Sequence, residues 1–176
     1  MKDVIEGRVW TLGRDVDTDQ IISGKYLTII DPQELKKHVF EIALPEFAQE
    51  AEAGDILVAD VNFGSGSSRE HAPQAMVAIG VGAVLADSFA RIFFRNAINL
   101  GLPAIEAPGV RAIFAKGDRA RIEMGAGRIT NLTTGAAVHF PALPAHLVQL
   151  LEAGGLVEQV RRELEARRAA GAPAAP

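Results

Sequence analysis

The chain has 176 residues, 48% of them apolar and 6% aromatic, which fits one domain with a sizeable core built mainly from Ile, Leu, Val and Ala. The net charge of −4 lacks the basic footprint of a nucleic-acid binder, and no apolar run approaches the length of a membrane span. No charged-then-apolar export signal opens the sequence, so we expect a cytoplasmic protein with no nucleic-acid or membrane partner.

Alternating strands and helices are predicted for the first two thirds of the chain. Residues 4–12 indicate a first strand, and Asp31-Pro32 is a typical helix start, with an N-cap followed by a first helical residue. Helices are expected at 32–38, at 44–53 and at 89–100, and a short helix with Pro73 in its first turn is expected between the strands at 56–60 and 83–87. Strands are expected at 56–60, 83–87 and 103–106, and helices between them favour parallel pairing.

The last third of the chain has a different pattern. Residues 119–124, 128–132 and 136–140 alternate around Gly-rich turns, which predicts antiparallel strands. Helices are expected at 144–151 and 156–166, and the Ala/Pro/Gly segment 169–176 is predicted to be disordered. The expected fold is a single α/β domain over residues 1–168, with parallel central strands, helices and a smaller antiparallel β section.

Residues 62–73, Asn-Phe-Gly-Ser-Gly-Ser-Ser-Arg-Glu-His-Ala-Pro, form the most informative segment, at a strand-to-helix corner. Free backbone N–H groups at such a corner favour an anion, and Arg69 adds a planar fork of donors suited to a carboxylate. The structural alternatives are a Gly/Ser turn and a capping box formed by Ser67 and Glu70.

Two nucleotide-binding interpretations fail on specific residues of this corner. A dinucleotide fingerprint needs a third glycine where Arg69 stands, although Gly64 and Gly66 have the correct spacing. A P-loop needs a lysine that does not follow Gly66. The corner therefore predicts an anion site of another kind.

Three motifs in order carry a resemblance to a known family. Residues 66–72, Gly-Ser-Ser-Arg-Glu-His-Ala, resemble the signature of the swivelling β/β/α domain of the aconitase superfamily. Residues 15–22, Asp-Val-Asp-Thr-Asp-Gln-Ile-Ile, and residues 87–96, from Asp-Ser-Phe-Ala-Arg to Asn, resemble its other two motifs. Within the superfamily, the chain is most similar to the small subunits of isopropylmalate dehydratases and their homoaconitase-type relatives.

This resemblance implies a hydro-lyase and assigns roles to individual residues. Ser67 is implied to be the base that accepts a carbon-bound proton, and we expect helix-start N–H groups and Arg69 to stabilise its anionic form. Ser68 and Arg69 are implied to contact substrate carboxylates. The loop after the first motif is implied to read the substrate, through Tyr26, Leu27, Thr28 and Ile29. Supporting roles are expected for Asp19, Gly66, Glu70, His71 and Arg91.

The resemblance also implies a partner chain. Enzymes of this superfamily use a [4Fe–4S] cluster, and this chain has no cysteine to bind one and no histidine pair at a metal-ligand spacing. We therefore expect no metal on this chain and a cluster-bearing large subunit, in a heterodimer or heterotetramer. The isolated chain is expected to be inactive and could associate with itself through the surface meant for the partner.

Thr28 guides the prediction of the substrate. Homoaconitase-type chains have an arginine directly after Tyr-Leu, where this chain has Thr28, so we favour 3-isopropylmalate in leucine biosynthesis. Citramalate, dimethylmalate and homoaconitate are the alternative substrates of a related hydro-lyase. The non-enzyme alternative is a stand-alone module that binds small anions.

Four charged residues of the motifs admit both structural and functional roles. Asp17 and Asp19 could cap a helix or turn or orient Arg69, and we favour an Asp19–Arg69 ion pair. Arg91 and Arg95 share one helix face. We favour a structural role for Arg95 and leave the role of Arg91 open.

Overall fold

The computed structural model describes residues 4–169 and contains one seven-stranded mixed sheet. The strands are β1 Val4–Thr11, β2 Ile56–Ala59, β3 Ala83–Ala86, β4 Ala104–Glu106, β5 Arg119–Glu123, β6 Arg128–Asn131 and β7 Ala137–His139. Their order across the sheet is β4-β3-β2-β1-β5-β6-β7. The predicted α/β class, with parallel central strands and an antiparallel section, is confirmed.

Strand β1 joins the two sections of the sheet. Its second half pairs in parallel with β2, with Val9 opposite Ile56 and Thr11 opposite Val58. Its first half pairs antiparallel with β5, with Val4 opposite Glu123. Strands β2, β3 and β4 are parallel to one another, and β5, β6 and β7 are antiparallel. The sequence predicted both sections but not the strand that they share.

The α-helices are α1 Thr18–Ile21, α2 Pro32–Leu35, α3 Phe47–Glu50, α4 His71–Ile79, α5 Arg91–Asn99, α6 Ala145–Ala153 and α7 Leu156–Ala169. Short 3-10 helices lie at Gly24–Tyr26, Lys36–His38 and Val110–Ile113. The helix predicted at 44–53 is wrong for most of its length, because Pro45 disfavours helical backbone at Leu44 and only four residues form α3. The predicted disordered tail lies outside the described residues except for Ala169, which ends α7.

Both faces of the parallel section are buried, as expected for strands joined by helical crossovers. Leu57 and Ala59 of β2 face one core, which contains Trp10, Phe40, Phe47, Phe63 and Phe93. Ile56 and Val58 face the other core, together with Phe114, Ile122 and Phe140. No helix within residues 4–169 is long and apolar enough to cross a membrane.

Helix α5 approaches the chain that follows β2 very closely at Gly64. Gly64 has φ +78°, and a Cβ built on it would lie 2.2 Å from Cγ of Phe93. A side chain at this position would therefore displace α5 from the segment that carries Ser67.

We expect Gly64→Ala to lower the free energy of unfolding by about 3 kcal/mol, from left-handed backbone strain and overpacking together. The matched control is Gly135→Ala, at φ +81° with no heavy atom within 4 Å of the added Cβ, which should cost only about 1 kcal/mol of backbone strain. Urea unfolding measures both variants. Equal losses in the two variants would contradict the close packing of Phe93 on Gly64.

Candidate active site

The three sequence motifs meet at the carboxyl edge of the parallel strands, where ligands bind in open α/β sheets. The first motif follows β1, the corner follows β2, and the third motif follows β3. Isolated parallel bridges join Asp17 to Ser65 and Phe63 to Phe89. The structure thus brings together segments that are more than 70 positions apart in the chain.

Backbone hydrogen bonds hold the first motif against the corner. Gly64 N donates to Val16 O at 2.7 Å, and Thr18 N donates to Ser65 O at 2.8 Å. Because both partners in each bond are main-chain groups, the spacing between the two loops does not depend on flexible side chains.

Asp15, Asn62 and Ser88 form a polar link between all three motifs, and sequence reasoning assigned a role to none of them. Asn62 Nδ2 donates to Asp15 Oδ1 at 2.9 Å, and Asn62 N donates to Ser88 Oγ at 2.9 Å. Asp15 and Asn62 have φ +54° and +61°, a conformation that Asp and Asn tolerate better than most residues. The bond from Asn62, supported by Arg14, lowers the pKa of the Asp15 carboxyl.

Ser67 is exposed and lies four residues before helix α4, so the alternative interpretation of a capping box formed by Ser67 and Glu70 is wrong. Helix α4 begins at His71, with Glu70 as an N-cap that makes no side-chain capping bond. A helix capped by Ser67 would place Pro73 in its interior, where its ring would clash with the preceding turn. The helix therefore starts later, and the expected help to Ser67 from helix-start N–H groups is not present.

The capping box lies in the first motif instead. Asp17 Oδ1 accepts from Gln20 N at 2.8 Å, and Gln20 Oε1 accepts from Asp17 N at 3.0 Å, so both reciprocal bonds around the start of α1 are made. This confirms the capping alternative for Asp17 and fixes the position of Thr18 and Asp19.

Arg69 forms the predicted ion pair with Asp19. Asp19 Oδ1 also accepts from Gly24 N at 3.2 Å, and Arg69 Nη1 lies 3.5 Å from Ile22 O. The hydrogen bond from Arg69 and its charge lower the pKa of Asp19, with the Gly24 N–H assisting. The Arg69 side chain is held by this ion pair and remains 21% exposed.

The loop predicted to read the substrate has two kinds of residues. Tyr26 donates from its hydroxyl to Glu41 Oε2 at 2.8 Å and stacks on His38 at 3.7 Å between ring centroids. Ile29 packs against the core, whereas Thr28 and Ile30 are exposed, Ile30 by 91%. Leu27 is half-buried. Thr28 is thus free of the packing that fixes Tyr26 and Ile29.

The remaining predicted residues surround the corner. Glu70 is exposed and His71, the first residue of α4, is half-buried. Gly66 has φ +97°, and a Cβ on it would lie 3.1 Å from Thr18 Oγ1. Arg91, the first residue of α5, is exposed and lines a cavity of about 230 Å³ with Arg95, and neither has an ion-pair partner among the described residues.

Between Val4 and Ala169 no group of three or more His, Asp or Glu side chains is placed to hold a metal ion. With no cysteine in the sequence, the donor set does not fit an iron–sulfur cluster. What the corner offers is the exposed hydroxyl of Ser67, two residues before an arginine whose guanidinium is held by Asp19.

Comparison with known proteins agrees with this arrangement. Residues 31–109, which include the corner and the third motif, match the family described as the aconitase C-terminal domain. The fold and the corner therefore define a protein of the aconitase superfamily, of the swivelling-domain class.

Relatives that cover the whole domain specify the family further. The chain is 53% identical to 3-isopropylmalate dehydratase small subunit 1 of Methanopyrus kandleri, over 93% of this chain and 96% of the relative. It is 44% identical to the isopropylmalate/citramalate isomerase small subunit of Methanocaldococcus jannaschii, over 93% and 98%. A crystal structure of 3-isopropylmalate dehydratase from that organism superimposes with a TM-score of 0.89 at 38% identity, over 94% and 98%. The chain belongs to the 3-isopropylmalate dehydratase small-subunit family.

We expect Arg69→Gln to raise the pKa of Asp19 toward the ordinary value of about 3.9, as measured by NMR titration of the side-chain carboxyl. Arg121→Gln, which removes an equal charge from the distant Arg121–Glu6 pair, is the control and should leave the Asp19 titration unchanged. The lowered pKa means that any stability from the pair is present above pH about 3.9 and is lost as the pH falls through the folded-state pKa. An Asp19 pKa that is the same in Arg69→Gln as in the wild type would contradict the ion pair.

Proposed function

We propose that this chain is the small subunit of a cytoplasmic hydro-lyase that interconverts 2-isopropylmalate and 3-isopropylmalate in leucine biosynthesis. The observation that carries the proposal is the meeting of Ser67, Arg69 and Asp19 at one edge of the sheet, in a chain of the 3-isopropylmalate dehydratase small-subunit family. The reaction removes water to give an alkene and adds it back with the hydroxyl on the neighbouring carbon.

Ser67 is the proposed base. In its anionic form, its oxygen takes the proton from the substrate carbon and becomes a hydroxyl, the electron pair of the C–H bond forms the double bond, and the substrate hydroxyl leaves the adjacent carbon with the electron pair of its C–O bond. Rehydration of the alkene then places the groups the other way round: the hydroxyl adds to the carbon that lost the proton, and Ser67 returns the proton to the carbon that lost the hydroxyl. Ser68 and Arg69 bind the carboxylates, and the left-handed backbone at Gly66 brings both beside the reacting carbons.

Asp19 has a supporting role in this proposal. Its ion pair fixes one part of the Arg69 guanidinium, so the remaining N–H groups are oriented toward substrate without loss of side-chain freedom on binding. Glu70, His71 and Arg91 are proposed to support the corner from α4 and α5.

The cluster and the remaining half of the active site are proposed to lie on a large subunit, in a heterodimer or heterotetramer. The names of the relatives as small subunits support a partner, and the donor set of this chain does not fit a [4Fe–4S] cluster. When bound by the partner, the cluster supplies the Lewis acid that the departing hydroxyl needs. The residues of this chain act on the proton and the carboxylates of the substrate.

The substrate-reading loop supports an alkyl substituent on the malate. Exposed Thr28 and Ile30 offer no positive charge to a third carboxylate, and an unpaired buried carboxylate would cost several kcal/mol. An alkyl group would instead gain about 0.8 kcal/mol per buried methylene. Citramalate is the main alternative substrate, since one relative is named for both compounds. Dimethylmalate and homoaconitate are the remaining alternative substrates.

We expect hydratase activity only after this chain is mixed, under anaerobic conditions, with a cluster-bearing large subunit of its family. In the mixture, Ser67→Ala should lower kcat by about 10² or more, because a positioned proton-transfer group is lost. The measurement is the ultraviolet absorbance of the alkene intermediate during turnover.

The matched control is Ser23→Ala, which removes a hydroxyl that makes no capping bond in the loop after α1 and should leave kcat unchanged. Turnover by the isolated chain freed of metals, or full turnover by the Ser67→Ala mixture, would defeat the proposal. Tight uptake of a small dicarboxylate by the isolated chain, without activity in the mixture, would instead support a stand-alone anion-binding module.

Thr28→Arg should move the substrate preference toward a tricarboxylic acid. The added guanidinium can pair with the third carboxylate of homocitrate, so kcat/KM on homocitrate should rise relative to kcat/KM on isopropylmalate and citramalate. Thr28→Gln, which adds similar length without charge, is the control. A wild-type preference for homocitrate, or no shift with the arginine, would contradict the proposed reading of the loop.

A further inference from the structure

We propose that Thr18 is a positioning residue for Ser67 and that its hydroxyl stabilises the anionic form of the Ser67 side chain. This inference rests on the proposed function of Ser67 and adds a group that sequence reasoning did not select. Its only sequence signal is its place between Asp17 and Asp19 in the first motif.

Two contacts connect Thr18 to Ser67. Ser67 N donates to Thr18 Oγ1 at 3.2 Å, and the two hydroxyl oxygens, Thr18 Oγ1 and Ser67 Oγ, lie 3.4 Å apart. Thr18 is 1% exposed, whereas Ser67 is exposed at the edge of the corner. One buried hydroxyl therefore contacts both the backbone and the side chain of the proposed base.

The direction of the hydroxyl bond follows from counting donors and acceptors. A threonine hydroxyl has one proton to donate and can accept two bonds. Thr18 Oγ1 already accepts the Ser67 N–H, and among the described residues its only other polar contact is Ser67 Oγ. Donation from Thr18 to Ser67 leaves no buried proton without a partner, whereas the reverse direction leaves the Thr18 proton unpaired.

This direction favours the form of Ser67 that the reaction needs. A donor aimed at an oxygen stabilises that oxygen when it becomes negative, and bonds to an anion are shorter than bonds between neutral hydroxyls. The separation of 3.4 Å is long for a neutral pair and leaves room to shorten as charge develops. Because helix α4 starts too late to help Ser67, a side-chain donor fills the role predicted for helix-start N–H groups.

Thr18 is held firmly enough to act in this way. Its backbone N donates to Ser65 O at 2.8 Å, and the capping box of α1 fixes the residues on both sides. Gly66 runs close against it, since a Cβ there would lie 3.1 Å from Thr18 Oγ1. The absence of a side chain at Gly66 lets the backbone of Ser67 reach the Thr18 hydroxyl.

The test uses a thiol in place of the serine. The sequence has no cysteine, so Ser67→Cys introduces a single thiol whose titration reports directly how well position 67 holds an anion. The isolated chain suffices, and the pKa is read from thiolate absorbance and from the pH dependence of alkylation. Arg69, Glu70 and His71 of the corner and Asp17 and Asp19 of α1 are the charged groups around the thiol, and all stay constant across the variants.

We expect the thiol of Ser67→Cys to titrate below the ordinary pKa of about 8.5. Adding Thr18→Val, which keeps the shape and removes the hydroxyl, should lower the thiolate fraction at neutral pH by about tenfold, and Thr18→Ser should restore it. Thr130→Val, on β6 away from the corner, is the control and should have no effect.

Two readouts separate this inference from a structural role and from the proposed function. The Asp19 carboxyl pKa should stay low in Thr18→Val, which shows that the Arg69 ion pair is intact. In the assembled enzyme, Thr18→Val should lower kcat about tenfold or more with little change in KM, and Thr18→Ser should retain turnover. An inactive mixture would overturn the proposed function but not the thiol result.

Three results would overturn the inference itself. One is a thiol pKa that does not respond to Thr18→Val. Another is a response accompanied by loss of the low Asp19 pKa, because the corner would then have lost its structure. The third is a normal kcat for Thr18→Val in an assembled enzyme that loses turnover on Ser67→Ala.

Discussion

The parallel pairing of β1 with β2 is the constraint on which the candidate active site depends. It is reinforced by buried Asp55 at the start of β2, whose Oδ2 accepts from Trp10 Nε1 at 2.7 Å and from Arg8 Nη2 at 3.0 Å. With this register fixed, the loops that follow β1 and β2 emerge side by side. The backbone oxygens of Val16 and Ser65 can therefore each accept a hydrogen bond from the opposite loop. A slip of one residue would turn Trp10 to the other face and separate the two motifs.

Under the proposed function, anion binding at this edge depends on fixed loop geometry more than on a helix dipole. Gly64 and Gly66 adopt left-handed backbone. Because neither has a Cβ, Phe93 can pack against Gly64 and Thr18 can approach Gly66. Asp15 and Asn62 adopt it as well, and Asn62 donates hydrogen bonds to both Asp15 and Ser88. These conformations carry a conformational cost, and their concentration where three motifs meet is typical of a preorganised site, in which charges and donors are placed before the substrate arrives.

Local signals predicted the parts of this molecule that local interactions determine. Apolar runs bounded by Gly and Pro gave the strands and the main helices, and opposite charges within the motifs gave the Asp19–Arg69 pair. The apolar pattern of residues 4–12 could not show that β1 pairs with two strands, because the side-chain period of a strand does not specify its neighbours in the sheet. The helix after the corner starts with Pro73 in its first turn, as predicted, and the alternative of a Ser67 capping box fails because it would place Pro73 in the helix interior. The roles of Thr18, Asn62 and Ser88 were not predicted, because these residues form hydrogen bonds between loops that are distant in the sequence.

Under the proposed function, exposure of the corner defines the task of the partner. A serine anion and an accessible guanidinium in open water would be solvated and screened, so neither would be effective until another surface excludes solvent. Thr28 and Ile30 are exposed on the loop after α1, so the same covering surface would complete the wall around the substituent of the substrate. Proton transfer and substrate choice would then both require assembly, even though Ser67 and Thr28 belong to this chain. Such a division would keep the isolated subunit from carrying out unproductive proton transfers, since its base would become effective only where the hydroxyl could also leave.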